Sequence, residues 1–230
     1  MAKLNTLTKS KTRRIVVYGP PKAGKTKLAG AMAEKMNVLY IGLENGHNTL
    51  FQLPEEWQSR IEVIAIPDSK SYPMAIETVM KIFKGGPCTV CEEHGKVNCP
   101  ICTKDGKPVV AVHLNALDDT WVVVLDSATQ LTASAIANIT KGMPDDYKML
   151  TDDWGSLGKH LDAVFSHVQA ARYNVVVLSH EIDVADEKKP EKLVPLAGSK
   201  NFSRNFAKFF DDVVHCKVLN KKHTFGSSTG

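Results

Sequence analysis

The stretch "GPPKAGKT" (Gly19–Thr26) constrains this chain more than any other. It fits G-x-x-x-x-G-K-[ST] and lies between a β-branched run and a segment of helical pattern, the context that gives the spacing its meaning. Glycines let the backbone wrap closely around a phosphate group. The amides of Ala23, Gly24, Lys25 and Thr26 can turn inward, and the start of the following helix adds partial positive charge. Gly19, Pro20, Pro21, Lys22, Ala23, Gly24, Lys25, Thr26 and Lys27 thus form a candidate nucleotide cradle. In such a cradle Lys25 reaches the β- and γ-phosphates and the Thr26 hydroxyl ligates Mg²⁺.

The surrounding pattern predicts a chain of strands alternating with helices. "RRIVVYG", "NVLYIGLE", "IEVIAI", "TWVVVLDSATQ" and "NVVVLSHE" read as strands, most of them apolar throughout as central parallel strands are. Helices are predicted over Lys25–Met36, through Met74, Ile76, Val79, Met80 and Phe83, over Thr129–Ile139 and over Trp154–Arg172. "KLVPLAG", "DDVVHCKVL" and "KKHTFG" read as strands near the sheet edge. The expected fold class is therefore α/β, a mainly parallel sheet with helices on both faces. The predicted organisation is a basic tail over 1–12, a core over 13–230 and an insert over 85–115 within it. Hydrophobic residues make up 43% of the 230, enough for one large core, and the formal net charge of +4 argues for no polyanionic partner by itself. No apolar run approaches the ~18 residues of a membrane span and the N-terminus has no apolar signal core, so a cytoplasmic location is expected.

Three polar residues end apolar strands and so fall at the sheet edge where ligands bind. Asp126 closes "WVVVLD" and reads as the carboxylate that holds Mg²⁺ through water, in the Walker B position. The next residue, Ser127, cannot serve as a water-activating carboxylate. Glu44, after "NVLYIGL", is the substitute expected to orient or deprotonate the attacking water. His180, after "VVVLS", can sense the γ-phosphate or simply cap and pack the strand end.

"CTVCEEHGKVNCPIC" holds four of the five cysteines, as Cys88-x-x-Cys91 and Cys99-x-x-Cys102. Two such pairs form a tetrahedral Zn²⁺ site readily, and a closed four-thiolate site would be structural, not catalytic. The expected ligands are Cys88, Cys91, Cys99 and Cys102, with His94 taken as a loop residue and Cys216 as a core cysteine. An iron–sulfur cluster uses the same donors.

Together, "GPPKAGKT", "IGLENG", "VVVLDSATQL" and "VVVLSHE", in this order, resemble the RecA-like P-loop ATPases, and the pattern is set apart from those of AAA+ proteins and kinases. With "WGSLG", "FFDDVV" and "FGSST", the chain is similar to small phage-encoded RecA-like ATP-binding proteins, which include single-strand-annealing recombinases. The resemblance implies binding and hydrolysis of ATP with Mg²⁺, action on single-stranded DNA in recombination, and a homo-oligomer, ring or filament, with nucleotide between protomers. It also implies a phage or host recombination partner and a basic residue reaching a neighbour's phosphates, for which Lys200, Arg204, Lys217, Lys221 and Lys222 are candidates. DNA-carrying loops would fall at about 141–153 and 183–200. The second of these mixes Lys188, Lys189, Lys192 and Lys200 with Asp183, Asp186, Glu187 and Glu191, which weakens a purely electrostatic case. The basic residues Lys9, Lys11, Arg13 and Arg14 can contribute instead. Two alternatives stand beside this reading: a nucleotide kinase with a zinc lid, and an ATP-gated DNA-binding module that barely turns over.

Overall fold

A computed structural model describes residues 11–185, 192–219 and 222–227. Lys9, Asp186, Glu187, Lys188, Lys189, Glu191 and Lys221 lie outside the described residues, as does most of the predicted 1–12 tail.

The core is a seven-stranded sheet. Its strands are β1 (Arg14–Tyr18), β2 (Asn37–Gly42), β3 (Ile61–Ala65), β6 (Trp121–Asp126), β7 (Asn174–Ser179), β10 (Asp212–Leu219) and β11 (Lys222–Ser227). They run in the order β11-β10-β1-β7-β6-β2-β3, and every pairing is parallel except β10 with β11. The expected α/β class with a mainly parallel sheet is what the chain adopts.

Alternate residues of each central strand feed opposite faces, the period of two that a pleated strand imposes. Val123 and Leu125 point into one apolar cluster and Val122 and Val124 into the other, all four fully buried. Each such side chain removed from water stabilises the fold by about 1.5–3 kcal/mol. One face is covered by α1 (Lys25–Gly30) and α2 (Glu55–Gln58), through Ala29 and Trp57. The other is covered by α3 (Ala75–Phe83), α5 (Ala128–Ile139) and α6 (Thr151–Gln169), through Val79, Leu131 and Leu161. Beyond α6, α7 (Lys200–Asn205) and the 3₁₀ turn Phe206–Phe209 close this layer with an aromatic cluster, in which Phe165 meets Phe206 edge-on at 4.6 Å.

Two small antiparallel hairpins stand outside the sheet: β4 (Cys88–Cys91) with β5 (Val109–Val112), and β8 (Glu181–Asp183) with β9 (Leu193–Pro195). α4 (Pro100–Lys104) lies between β4 and β5. Two expectations change here. "KLVPLAG" does not join the main sheet edge but pairs with the segment following β7. The helix expected over Lys25–Met36 is α-helical only to Gly30 and tightens to 3₁₀ geometry over Ala31–Glu34. The chain turns into β2 just after, and 3₁₀ turns with i→i+3 hydrogen bonds are frequent at the C-termini of α-helices. Among the described residues no helix is long and apolar enough to cross a membrane.

Candidate nucleotide site and metal knuckle

The glycine-rich loop leaves β1 at the carboxyl end of the sheet and runs into α1 with Gly24 in the left-handed region at φ 88°. It borders a cavity of about 750 Å³. Lys25, Glu44, Asp126 and His180, predicted from four separate stretches, all line this cavity. So do Pro21, Lys22, Gly24, Thr26 and Lys27 of the loop. Of the remaining cradle residues, Gly19 and Pro20 accept hydrogen bonds from the Lys25 Nζ through their carbonyls, both at 2.9 Å. The Ala23 side chain is buried, and its carbonyl lies 3.0 Å from His223 Nδ1 on β11.

The parallel register explains the convergence. Gly42 of β2 pairs with Asp126 of β6, and Leu178 of β7 pairs with Asp126 from the other side. Three strands thus end level, and the residues just past their ends share one edge. Asp126 is 6% exposed. Its Oδ2 accepts from the Thr26 hydroxyl at 2.8 Å and from the Tyr40 hydroxyl at 2.5 Å. Burial pushes the Asp126 carboxyl above the usual carboxylate range, against the pull of those two hydrogen bonds. Burial likewise lowers the Lys25 ammonium, with the Asp126 charge opposing it. The Tyr40 phenol is pushed up strongly by burial and by the Asp126 carboxylate.

Thr26 and Asp126 supply the hard oxygen donors that Mg²⁺ takes. Gly46 lies close beside this pair, and a Cβ on it would stand 2.9 Å from Asp126 Oδ2 and 3.6 Å from Thr26 Oγ1. Glu44, two residues past β2, is exposed to the cavity and accepts a 2.6 Å hydrogen bond from the Ser127 hydroxyl. His180 is held by its backbone amide, which donates to Thr129 Oγ1 at 2.9 Å. Its Nδ1 is buried with no hydrogen-bond partner among the described residues. Burial, with the Lys25 charge beside it, lowers the imidazole's pKa.

Sequence reasoning missed Tyr40, Gly46, His223 and the role of Ser127. Tyr40 carries the hydroxyl-bearing side chain inside an otherwise apolar strand, two residues before the Gly42 that faces Asp126, and that was its available signal. His223 reaches the loop only because β11 folds back along β10, which local sequence does not encode. Of the basic candidates, Lys200 opens α7, Lys217 lies on β10 and Lys222 on β11, all exposed. The Arg204 guanidinium donates to the Val184 carbonyl at 2.8 Å.

The cysteine segment requires a correction. The side chains that converge are Cys91, His94, Cys99 and Cys102, with their donor atoms within 4.8 Å of one another. Cys88 is not among them. Cys88 and Cys91 are the two ends of β4, and an odd separation of three along a strand sends side chains to opposite faces. Cys88 instead packs against the main core. His94 takes its place because the turn after β4 is closed by the Gly95 amide bonding the Cys91 carbonyl at 2.9 Å, which folds the ring back over the thiols. His94 Nδ1 stands 3.2 Å from the Cys102 Sγ, 3.8 Å from Cys99 and 3.9 Å from Cys91. A tetrahedron with metal–ligand bonds of about 2.0–2.3 Å has edges of about 3.3–3.8 Å, so the spacing suits one metal ion. All five cysteines are free thiols.

The family described as "AAA domain" matches residues 11–229. The chain belongs to this AAA-domain family. Setting the motif pattern apart from AAA proteins is thereby corrected, and the P-loop ATPase class contains both descriptions. The chain is thus a P-loop ATPase by family, and the cavity beside its glycine-rich loop is the candidate nucleotide site. No curated protein matches the chain. Among solved structures it is similar to an ATPase from the type III secretion system of pathogenic bacteria, at 13% identity and a TM-score of 0.47. That likeness covers 89% of this chain and 52% of the other. It is also similar to the ATP synthase subunit NeqB from Nanoarcheaum equitans, at 9% identity and a TM-score of 0.48, over 91% of this chain and 51% of that one. The AAA-domain chain spans about half the length of these two structures, and neither likeness bears on activity.

Proposed function

We propose that the protein hydrolyses ATP with Mg²⁺ and couples hydrolysis to binding single-stranded DNA in recombination or annealing, as a phage-encoded RecA-like protein working in a homo-oligomer. The observation that carries the hydrolytic part is the placement of Glu44 and Asp126 on one cavity with Lys25. Lys25 draws charge from the β- and γ-phosphates, and Thr26 with Asp126 would hold the metal. Mg²⁺ supplies charge neutralisation at the phosphates. Glu44, fixed by Ser127, is left to orient and deprotonate a water. The unpartnered Nδ1 of His180 is available for a γ-phosphate oxygen or the water beside it.

The kinase alternative is less well supported. A lid would close over the phosphates, yet none of the residues Cys88–Cys102 lines the phosphate cavity. For DNA, the support is the resemblance together with the mostly exposed segment 141–153. ATP turnover measured with and without single-stranded DNA tests the whole reading. Stimulation of about tenfold or more is expected, with a dependence on salt that reflects displaced counterions. Brisk turnover indifferent to DNA would remove the DNA part, and negligible turnover under both conditions would favour the ATP-gated binding module.

The three thiolates and one imidazole point to Zn²⁺ in a closed, structural site that folds an insert too small for its own core. About one zinc per chain is expected by elemental analysis. Cys88→Ser is expected to keep it, whereas His94→Ala and Cys102→Ser lose it. Metal loss in Cys88→Ser with retention in His94→Ala would restore the four-cysteine site.

A further inference from the structure

A second cavity of about 500 Å³ lies on the far side of Glu44 from the phosphate loop. Its wall includes Glu44, Asp68, Gln130 and, from the cysteine insert, Glu92. Around it runs an unbroken set of hydrogen bonds. The Ser127 hydroxyl donates to Glu44 Oε1 at 2.6 Å and accepts from the Gln130 amide at 3.1 Å as the cap of α5. The cap bond uses an oxygen lone pair and so leaves the hydroxyl proton for Glu44. The Gln130 side chain donates to Asp68 Oδ2 at 3.0 Å. Asp68 Oδ1 accepts from the Ser134 hydroxyl at 2.8 Å and from the Ala75 amide at 2.9 Å, joining the middle of α5 to the start of α3.

The metal knuckle leans on the same loop. The Tyr72 hydroxyl donates to the His94 carbonyl at 3.0 Å, and the Thr78 hydroxyl donates to the Gly95 carbonyl at 2.5 Å. Gly95 sits so close to the residues before Asp68 that a Cβ on it would come within 2.8 Å of Pro67 and 2.9 Å of Ile66.

We propose that Asp68 and Gln130 are positioning residues for Glu44, and that the metal-held knuckle fixes the 67–74 loop from which Asp68 reaches Gln130 on α5. This rests on the reading of Glu44 as the water-activating base. Glu44 is an exposed side chain whose described hydrogen bond is to Ser127, so the base is aimed only as well as the cap of α5 is held. Asp68 holds that cap from one side, and the knuckle holds the loop bearing Asp68 from the other. None of these groups touches the phosphate loop, so the device acts on the chemical step and leaves nucleotide affinity alone.

The test uses the full chain with its bound metal and compares Asp68→Ala, Asp68→Asn and Gln130→Leu, reading kcat, KM for ATP, nucleotide affinity and metal content. Asp68→Ala and Gln130→Leu are expected to lower kcat about tenfold, the scale of a sub-ångström misplacement of a catalytic group, with KM and affinity within about twofold of wild type. Asp68→Asn is expected to recover most of the loss, because a flipped Gln130 amide can accept from the new amide while Oδ1 keeps its two donors. Removing the metal with a chelator is expected to lower kcat in the wild type and to add nothing in Gln130→Leu, the non-additivity of residues in one network. Wild-type kcat in Gln130→Leu overturns the proposal, as does a parallel loss of affinity and turnover. If Asp68→Ala loses its metal or its fold, Gln130→Leu, altered only at a half-buried helix position, decides alone. A Glu44→Gln variant separates the two levels. If it still turns over ATP the functional reading fails, and if it is inactive while Gln130→Leu is normal only the positioning role fails.

Discussion

Glu44→Gln is expected to reduce kcat for ATP by about 10²–10⁴-fold while nucleotide affinity stays within a few-fold of wild type, the loss typical of removing a positioned general base. Glutamine is nearly the same size, and its carbonyl oxygen can still accept the Ser127 hydroxyl that now meets Glu44 at 2.6 Å. The geometry of the site is therefore kept and only the proton acceptor is removed. Glu44 belongs to neither the phosphate loop nor the Thr26–Asp126 pair, so binding should persist. Single-turnover hydrolysis together with an equilibrium binding measurement checks both halves. Turnover near wild type would place the base elsewhere, and His180 would then be the first residue to test, because its imidazole lines the same cavity.

Lys25→Ala is expected to weaken nucleotide binding by at least about thirtyfold and, through that, to abolish turnover. Truncating one partner of a buried, hydrogen-bonded charge pair costs about 2–5 kcal/mol. Lys25 is 9% exposed, and its ammonium donates to the Gly19 and Pro20 carbonyls at 2.9 Å. Charge-assisted hydrogen bonds such as those to phosphate are about twice as strong as neutral ones. Lys25→Met separates binding from folding. Burial lowers the folded pKa of Lys25, so the folded chain holds this proton less tightly than the unfolded one. Its contribution to unfolding free energy therefore rises with pH through the folded pKa toward the unfolded value. Lys25→Met removes that slope and the buried charge, and is expected to fold at least as stably as wild type near neutral pH while failing to bind ATP. Retained ATP affinity in either variant would overturn the assignment of the phosphate site.

Much of the architecture was legible because buried parallel strands leave long apolar runs. "VVVL" occurs in both β6 and β7, and both lie in the middle of the sheet. The loop "GPPKAGKT" was legible because its function requires glycines, a lysine and a hydroxyl at fixed spacing. Glu44, Asp126 and His180 could be picked out by one rule, a polar residue at the end of an apolar strand. α7 and the phenylalanine turn after it were not legible, since "FSRNFAKFF" gains its order from meeting Phe165 across the layer.

The cysteine segment separates the two kinds of information most clearly. Spacing in "CTVCEEHGKVNC" pointed to a compact candidate metal knuckle, because thiol pairs with two residues between them have few other uses in such a short stretch. Choice of ligands was a matter of strand direction. Once Cys88–Cys91 is a strand, one end must face away from the other, and the backbone turn at Gly95 delivers His94 into the empty corner. By itself, then, the sequence determined the chemistry available: a phosphate cradle, strand-end carboxylates and a set of soft donors. Only the tertiary structure decided which of these groups meet. Tyr40 with Asp126, Ser127 with Glu44 and Gln130 with Asp68 are joined across 86, 83 and 62 residues of chain. Contacts of that range are set by strand register and helix packing, which are properties of the whole sheet and not of any window along it.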